Sequence, residues 1–276
     1  MKTIYKIFFA FSILLTIVAL AVTVVIWRKS KGEILSADFR GGVLLEVSFA
    51  DGRPNSIIRE REMSETRKQE IIKDLSTQFN SVATQVRFDD VGPTVGQELK
   101  SKSVTAMIVL LITIVVYLAI VFRSMKRVLS PWALGIAAVL ALLHDLIIPM
   151  GVMSLVAYYY GVEITAVFVA AALTILGYSV SDTVVVFDRV RENVIRIGSK
   201  ESFPSIVHTS IMQTLTRSIN TSITTLIALV AIFFFGGESI KYFALALIIG
   251  IISGTYSSIF IASPIIMFWH GRKLTK

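Results

Sequence analysis

Six long apolar runs divide this sequence, and one polar stretch between them, Arg28–Lys102, is much longer than the rest. The runs are Ile4–Trp27, Ser103–Phe122, Pro131–Tyr158, Val162–Phe187, Ile219–Phe235 and Tyr242–Trp269. A helix needs roughly 20 mostly apolar residues to cross a hydrocarbon core of about 30 Å, so each run predicts a transmembrane span. The first run is too long for the apolar region of a cleaved signal, and no small-residue cleavage site precedes Arg28, so it predicts a retained span. In the one long polar stretch the periodicity changes. Val43–Phe49 is rich in β-formers, lies between Gly41-Gly42 and Asp51-Gly52, and predicts a strand. Ser64–Phe79 carries Ile71, Ile72, Leu75 and Phe79 at helical spacing, with Ser64 and Arg67 opening the helix. Thr84–Phe88 predicts a second short strand. The expected fold is mostly α: a six-transmembrane-helix bundle with a small α+β domain between its first two helices. The expected boundaries are 1–27 for the first span, 28–102 for the domain and 103–276 for the remaining spans with their loops and C-terminus. A domain of about 75 residues buries a modest core, which favours docking against a partner or the membrane helices.

Composition agrees and adds direction. Of the 276 residues, 54% are hydrophobic, above the roughly 45–50% of soluble chains, and mean hydropathy is +0.74. The Arg28–Lys102 stretch is nearly balanced, with 13 Lys/Arg against 12 Asp/Glu, so all but one unit of the net +8 lies elsewhere, mainly in the short loops and termini. Arg123, Lys126 and Arg127 follow the second run, and Arg189, Arg191, Arg196 and Lys200 follow the fourth. Arg272, Lys273 and Lys276 follow the sixth. The opposite loops hold no basic residue at Tyr159–Gly161 and only Lys241 at Gly236–Lys241. Lys2 and Lys6 against Arg28, Lys29 and Lys31 leave the first span undecided, but the later loops predict cytoplasmic termini and an outer Arg28–Lys102 domain. Trp27, Trp132 and Trp269 fall at span ends, as interfacial belts require. No basic stripe with interleaved aromatics suggests nucleic-acid binding. Without cysteine there is no disulfide, thiolate metal site or cysteine nucleophile.

Ionisable groups inside spans cost a few kcal/mol or more and need a reason. Asp145 and Asp182 lie well inside, and Arg217 enters the fifth run. Counting 1.5 Å per residue from the outer ends puts Asp182 and Arg217 at about 28 Å depth and Asp145 at about 20 Å. Equal depth on consecutive antiparallel helices allows an Asp182–Arg217 pair. Tyr178 and Ser179 sit one turn before Asp182, and helical steps from Arg217 reach Asn220, Thr221 and Thr224. The pair reads equally as a proton- or ion-handling site and as a bond between helices, and Arg217 also has the option of snorkelling to headgroups. Asp145 reads more readily as a helix-packing group. His144 points about 100° away from Asp145, which argues against a direct relay. His208 and His270 sit near the basic loops with no ligand partners in sequence. No metal-ligand spacing, Ser/His/Asp arrangement or phosphate loop occurs, so the chain is not expected to be an enzyme. Ala246, Gly250, Gly254, Ser258 and Ala262 recur every four residues and predict a helix-packing stripe.

Several motifs are specific. They are DFRGG (38–42), VGPTVGQEL (91–99), LHDLII (143–148), GYSVSDTVVVFDRVREN (177–193), QTLTRSINTSITTL (213–226) and FGG (235–237). With these the chain resembles the SecF family of membrane subunits of the bacterial Sec accessory complex, a branch of the resistance-nodulation-division superfamily. The resemblance covers almost the whole chain. Arg40 departs from it, since Thr is usual there. The resemblance implies an RND-type bundle, a ferredoxin-like extracytoplasmic domain and residence in the bacterial inner membrane. It implies pairing with SecD to assist the SecYEG channel, with YajC and YidC as further partners and a translocating preprotein as cargo. It implies use of the proton-motive force, with no cofactor and with H⁺, or alternatively Na⁺, as coupling ion. The family's fourth-span Asp and fifth-span Arg, tied to proton passage, map onto Asp182 and Arg217. Asp145 is expected beside them as a secondary polar element of the pathway. The rival expectations are a non-conducting scaffold for SecD and the channel, and a small-molecule or lipid transporter. The short outer segment argues against the transporter.

Overall fold

A computed structural model describes residues 3–32, 34–197 and 200–274. Of the basic residues that orient the chain, Lys2 and Lys276 lie outside the described residues. Among the described residues six helices are long and apolar enough to cross a membrane. Five of them are α1 (Thr3–Lys29), α4 (Pro93–Val121), α5 (Pro131–Tyr160), α6 (Ala166–Ile197) and α7 (Phe203–Phe235). The sixth combines α8 (Glu238–Ser257), one π turn (Ser258–Ala262) and α9 (Ser263–Leu274). Three helices outrun their apolar runs. The α4 helix begins at Pro93, ten residues before Ser103, α6 continues ten residues past Phe187 to Ile197, and α7 begins at Phe203, well before Ile219. All three extensions carry charged or polar side chains, which a search for apolar runs does not register. Arg217 therefore lies in mid-helix, not at a helix entrance.

Chain contacts divide the molecule into two compact units. The smaller comprises Glu33–Thr105 and Glu163–Ala166. It holds the short helix α2 (Ala37–Arg40), strands β1 (Gly42–Phe49), β2 (Ser56–Glu60) and β3 (Ala83–Val91), and α3 (Glu65–Phe79). The antiparallel sheet has the order β2-β1-β3. Strand β1 is central because it is the most continuously apolar. Its Val43, Leu45, Val47 and Phe49 share one face and pack with Met63, Ile71 and Ala83. Helix α3 opens as expected, with Ser64 Oγ accepting from Arg67 N at 3.2 Å, and closes on left-handed Asn80.

The DFRGG motif organises this unit. Asp38 Oδ2 accepts from Ala166 N at 2.9 Å, and Ile164 bonds to Ile34 and Ser36, tying the 163–166 segment in. Arg59 donates to Glu163 Oε1 at 2.9 and 2.7 Å. Gly41 has φ +71°, and a Cβ there would come within 2.6 Å of the Pro93 Cα. A Cβ on Gly96 would meet Gly41 N at 2.9 Å. The first two motifs thus need their glycines because their backbones touch.

In the membrane unit, α5 and the α8–α9 span are the most buried helices, and α1, α4 and α7 the least. Close helix approach depends on small residues. A Cβ on Gly151 would lie 2.9 Å from the Ala19 Cβ of α1. Gly250 and Gly254 of the predicted stripe face Ile175 and Ser179, so the stripe's partner is α6 of the same chain. Its last two members, Ser258 and Ala262, bound the π turn and are fully buried. There the strict four-residue repeat no longer follows one straight face.

Candidate functional site

Two apolar clusters fill the membrane unit. One includes Leu134, Leu142, Phe187, Ile211 and Ile266; the other includes Met153, Ile175, Leu229, Leu247 and Ile251. Along α5, α7 and the last span, the polar residues fall between these clusters. They are His144 and Asp145 on α5, Ser218 and Ser222 on α7, and Ser253 to Ser258 on the last span. Tyr178, Ser179 and Asp182 of α6 complete the layer. Polar groups gathered between apolar cores must satisfy one another, since lipid offers no partner.

Asp145 is the best-served member. It is fully buried and accepts from Ser179 Oγ at 2.5 Å, Ser257 Oγ at 2.6 Å and Ser253 Oγ at 3.2 Å. His144 Nδ1 lies 2.8 Å from Oδ1, the oxygen that Ser253 also reaches. Contact between adjacent residues corrects the expectation from the 100° step. Both side chains turn toward α8, and their lengths close the angle that separates their Cα–Cβ bonds. Pro149, four residues on, offers no N–H to the Asp145 carbonyl, so the helix ladder opens at the same residue.

Asp182 is buried but only half served. Ser218 donates to Oδ1 at 2.5 Å, and Oδ2 is buried with no hydrogen-bond partner. Ser258 and Arg217 are its other electrostatic neighbours. Arg217 makes no ion pair with it, because α7 presents Ser218, not Arg217, to α6. Arg217, Asn220, Thr221 and Thr224 share the exposed face of α7; Thr221 and Thr224 bond only to backbone carbonyls of their own helix. One turn along, Tyr178 donates to Ser222 at 3.4 Å, and Ser222 bonds Thr255 at 2.5 Å.

Of the sequence-predicted residues, then, Asp145, Asp182, Tyr178 and Ser179 enter the layer, while Arg217, Asn220, Thr221 and Thr224 face outward. Ser179 serves Asp145 and not Asp182. His208 pairs with Tyr5 at 2.7 Å, and His270 Nδ1 lies 3.2 Å from Val128 O. Sequence reading missed Ser218, Ser222, Ser253 and Ser257. Their signal was available: both pairs stand four apart, on one face of a helix. The two carboxylates lie beside adjacent residues of the last span: Ser257 donates to Asp145, and Ser258, whose hydroxyl donates to Thr255 O at 3.0 Å, neighbours Asp182 where the α-helix gives way to the π turn. Such turns are concentrated at functional sites.

Comparison with known proteins gives this arrangement a family. The model of the protein export membrane protein SecD/SecF C-terminal family matches residues 71–272. The SecF translocase subunit of Thermobaculum terrenum is 44% identical over 78% of this chain and 65% of its own length. That of Anaerolinea thermophila is 34% identical over 95% of this chain and 91% of its own length. The crystal structure of SecDF from Thermus thermophilus, described as a translocon-associated membrane protein, superposes with a TM-score of 0.82 at 31% identity. That match covers 97% of this chain and 38% of the Thermus chain. Six apolar spans, a small antiparallel domain after the first of them, and a family match across most of the length agree. The chain belongs to the SecD/SecF family of protein export membrane proteins.

Proposed function

We propose that this chain acts as a SecF-type subunit that pairs with SecD and assists preprotein movement through SecYEG, drawing on the proton-motive force. The observation that carries the proton reading is Asp182: a buried carboxyl group in mid-helix with one oxygen held by Ser218 and the other with no hydrogen-bond partner. A carboxyl group so placed is stable when neutral and unstable when charged, unless a cation approaches. Arg217 is the adjacent cation, one residue from Ser218. In this reading the observed arrangement, with Asp182 on Ser218 and Arg217 turned outward, is the protonated state. Loss of the proton recruits Arg217 and rotates α7 against α6 and the π turn, giving the two packings that a proton-driven cycle needs. Asp145, held by three serine hydroxyls and in contact with His144, is the fixed point about which they move.

The exposed polar face of α7 supports the pairing with SecD. Arg217, Asn220, Thr221 and Thr224 are costly against lipid and call for a polar membrane partner. The basic loops support cytoplasmic termini in the bacterial inner membrane, with the small unit outside. We assign that unit to the ferredoxin-like class on its antiparallel sheet and single packed helix. The α1 and α4 helices carry the chain into and out of it, a covalent route for motion.

The test is Asp182→Asn in cells, following the proton-driven late stage of export while monitoring complex levels. The neutral isostere holds α7 in the protonated arrangement, so driven export stops at normal SecD association. Wild-type export sinks the proposal, and a defect that tracks reduced complex yield assigns the chain to the scaffold role.

A further inference from the structure

His144 takes no part in the cycle above, yet its surroundings are specific. The side chain is 4% exposed, and its Nδ1 meets the Asp145 carboxylate at 2.8 Å. Ser179, Ser253 and Ser257 donate to the same carboxylate. Three hydroxyls donating to two oxygens is the pattern of an ionised acid, which accepts and does not donate. It fixes the proton of neutral His144 on Nδ1 and leaves a lone pair on Nε2. That Nε2 is buried with no hydrogen-bond partner.

The groups that face His144 are few. From its own helix there is Asp145. From α8 there is Tyr256, whose ring stacks on the imidazole at 6.3 Å between centroids and 28°. The Tyr256 hydroxyl is occupied on α1, accepting from Ser12 at 2.9 Å and donating to Phe8 O at 3.0 Å. From α6 the contribution is the neutral Ser179. Among the described residues no cation pairs with Asp145 except His144 itself when protonated.

We propose that His144 and Asp145 form a second proton-binding site, in which His144 Nε2 takes a proton from the aqueous pool and the imidazolium is neutralised by Asp145. One N–H bond forms at Nε2, the Nδ1–H bond to Asp145 is kept, and the pair passes from net −1 to net 0. Release reverses the step. Deepening the proton reading of Asp182 and resting on it for its role in export, this assignment places two proton sites on either side of the Ser257–Ser258 step. The charge carried by one site therefore bears on the grip of the other on the same turn.

The experiment is nitrogen-15 NMR of histidine-labelled full-length chain in lipid nanodiscs across about pH 5 to 8, where histidines ordinarily titrate. His144→Gln identifies the resonances among the three histidines of the chain. The wild-type His144 signals should pass from the Nδ1–H tautomer to imidazolium as pH falls. In Asp145→Asn the proton affinity of His144 should drop about tenfold or more, since its neutralising charge is gone. A His144 that stays neutral throughout overturns the proposal, as does one that titrates identically in Asp145→Asn. Should Asp145→Asn fail to fold, the wild-type titration alone decides. Asp182→Asn separates the two readings: His144 titration persists there if this site is real, whether or not driven export is lost.

Discussion

Replacing Asp145 by alanine should destabilise the membrane unit more than any other single truncation in the polar layer. The substitution removes the acceptor for three interhelical hydroxyls and for His144 Nδ1. Ser257 has an alternative in Gly254 O at 3.1 Å, but Ser179 and Ser253 have no other recorded acceptor. Interhelical hydrogen bonds within membranes contribute on average about 0.6 and at most about 1.7 kcal/mol each, and a charged acceptor belongs at the upper end. With a small cavity added, the expected loss is about 3–5 kcal/mol for Asp145→Ala. Asparagine keeps the volume and one acceptor oxygen, so Asp145→Asn should lose about 1–2 kcal/mol. Asp182→Ala, which breaks the single Ser218 bond, should lose about 1 kcal/mol. Asp188→Ala, which breaks only an exposed pair with Arg191, should lose close to nothing. Unfolding by steric trapping in bicelles measures all four. If Asp145→Ala costs no more than Asp188→Ala, the carboxylate does not organise the helices and the account of the layer fails.

Three further outcomes follow from close packing and from the small unit. Gly254→Val pushes a branched side chain into Ser179, 2.9 Å from the built Cβ, and should cost about 1–3 kcal/mol in the same assay while Ser181→Val, on an exposed position, costs little. Gly41→Val combines left-handed φ with a clash at Pro93 and should raise hydrogen exchange in β1 and β3 without altering the membrane helices. Arg53 joins the β1–β2 loop to α3, with its guanidinium 4.6 Å from the Phe79 ring centre and bonded to Asp51. Arg53→Ala should loosen that loop through lost ring contact, read as faster hydrogen exchange there. The Arg53 hydrogen bond holds the Asp51 carboxyl below its ordinary value. The stabilisation it brings is therefore present at neutral pH and fades as pH falls through that lowered value. Arg53→Ala should remove this acid-dependent component of loop protection.

The parts of the fold that were legible in the sequence are those set by one-dimensional patterns. Apolar length marked all six spans, β-forming residues between glycine-containing turns marked β1, and Ser64 marked the start of α3. Strand β2 was not legible, because Ser56–Glu60 has five residues and no fully buried position. Its strand state comes from pairing with β1. The site shows the same division. Depth counting placed Asp182 and Arg217 at one level, but depth is one coordinate of a helical position. The 100° step from Arg217 to Ser218 decides which residue meets Asp182, and that rotation is set by packing of α7 on α8. Serines in an apolar helix read equally as small packing residues and as hydrogen-bond donors. Only the position of Asp145 showed which role Ser253 and Ser257 take.

The central claim is that Asp182 carries a proton in the arrangement seen here, with Arg217 disengaged. Infrared difference spectroscopy on the purified complex in lipid, between high and low pH, reads protonated carboxyl groups directly. The account predicts a buried carboxylic C=O band that is present at low pH, is lost at high pH, and disappears in Asp182→Asn while remaining in Asp188→Asn. A band that survives Asp182→Asn unchanged would contradict it.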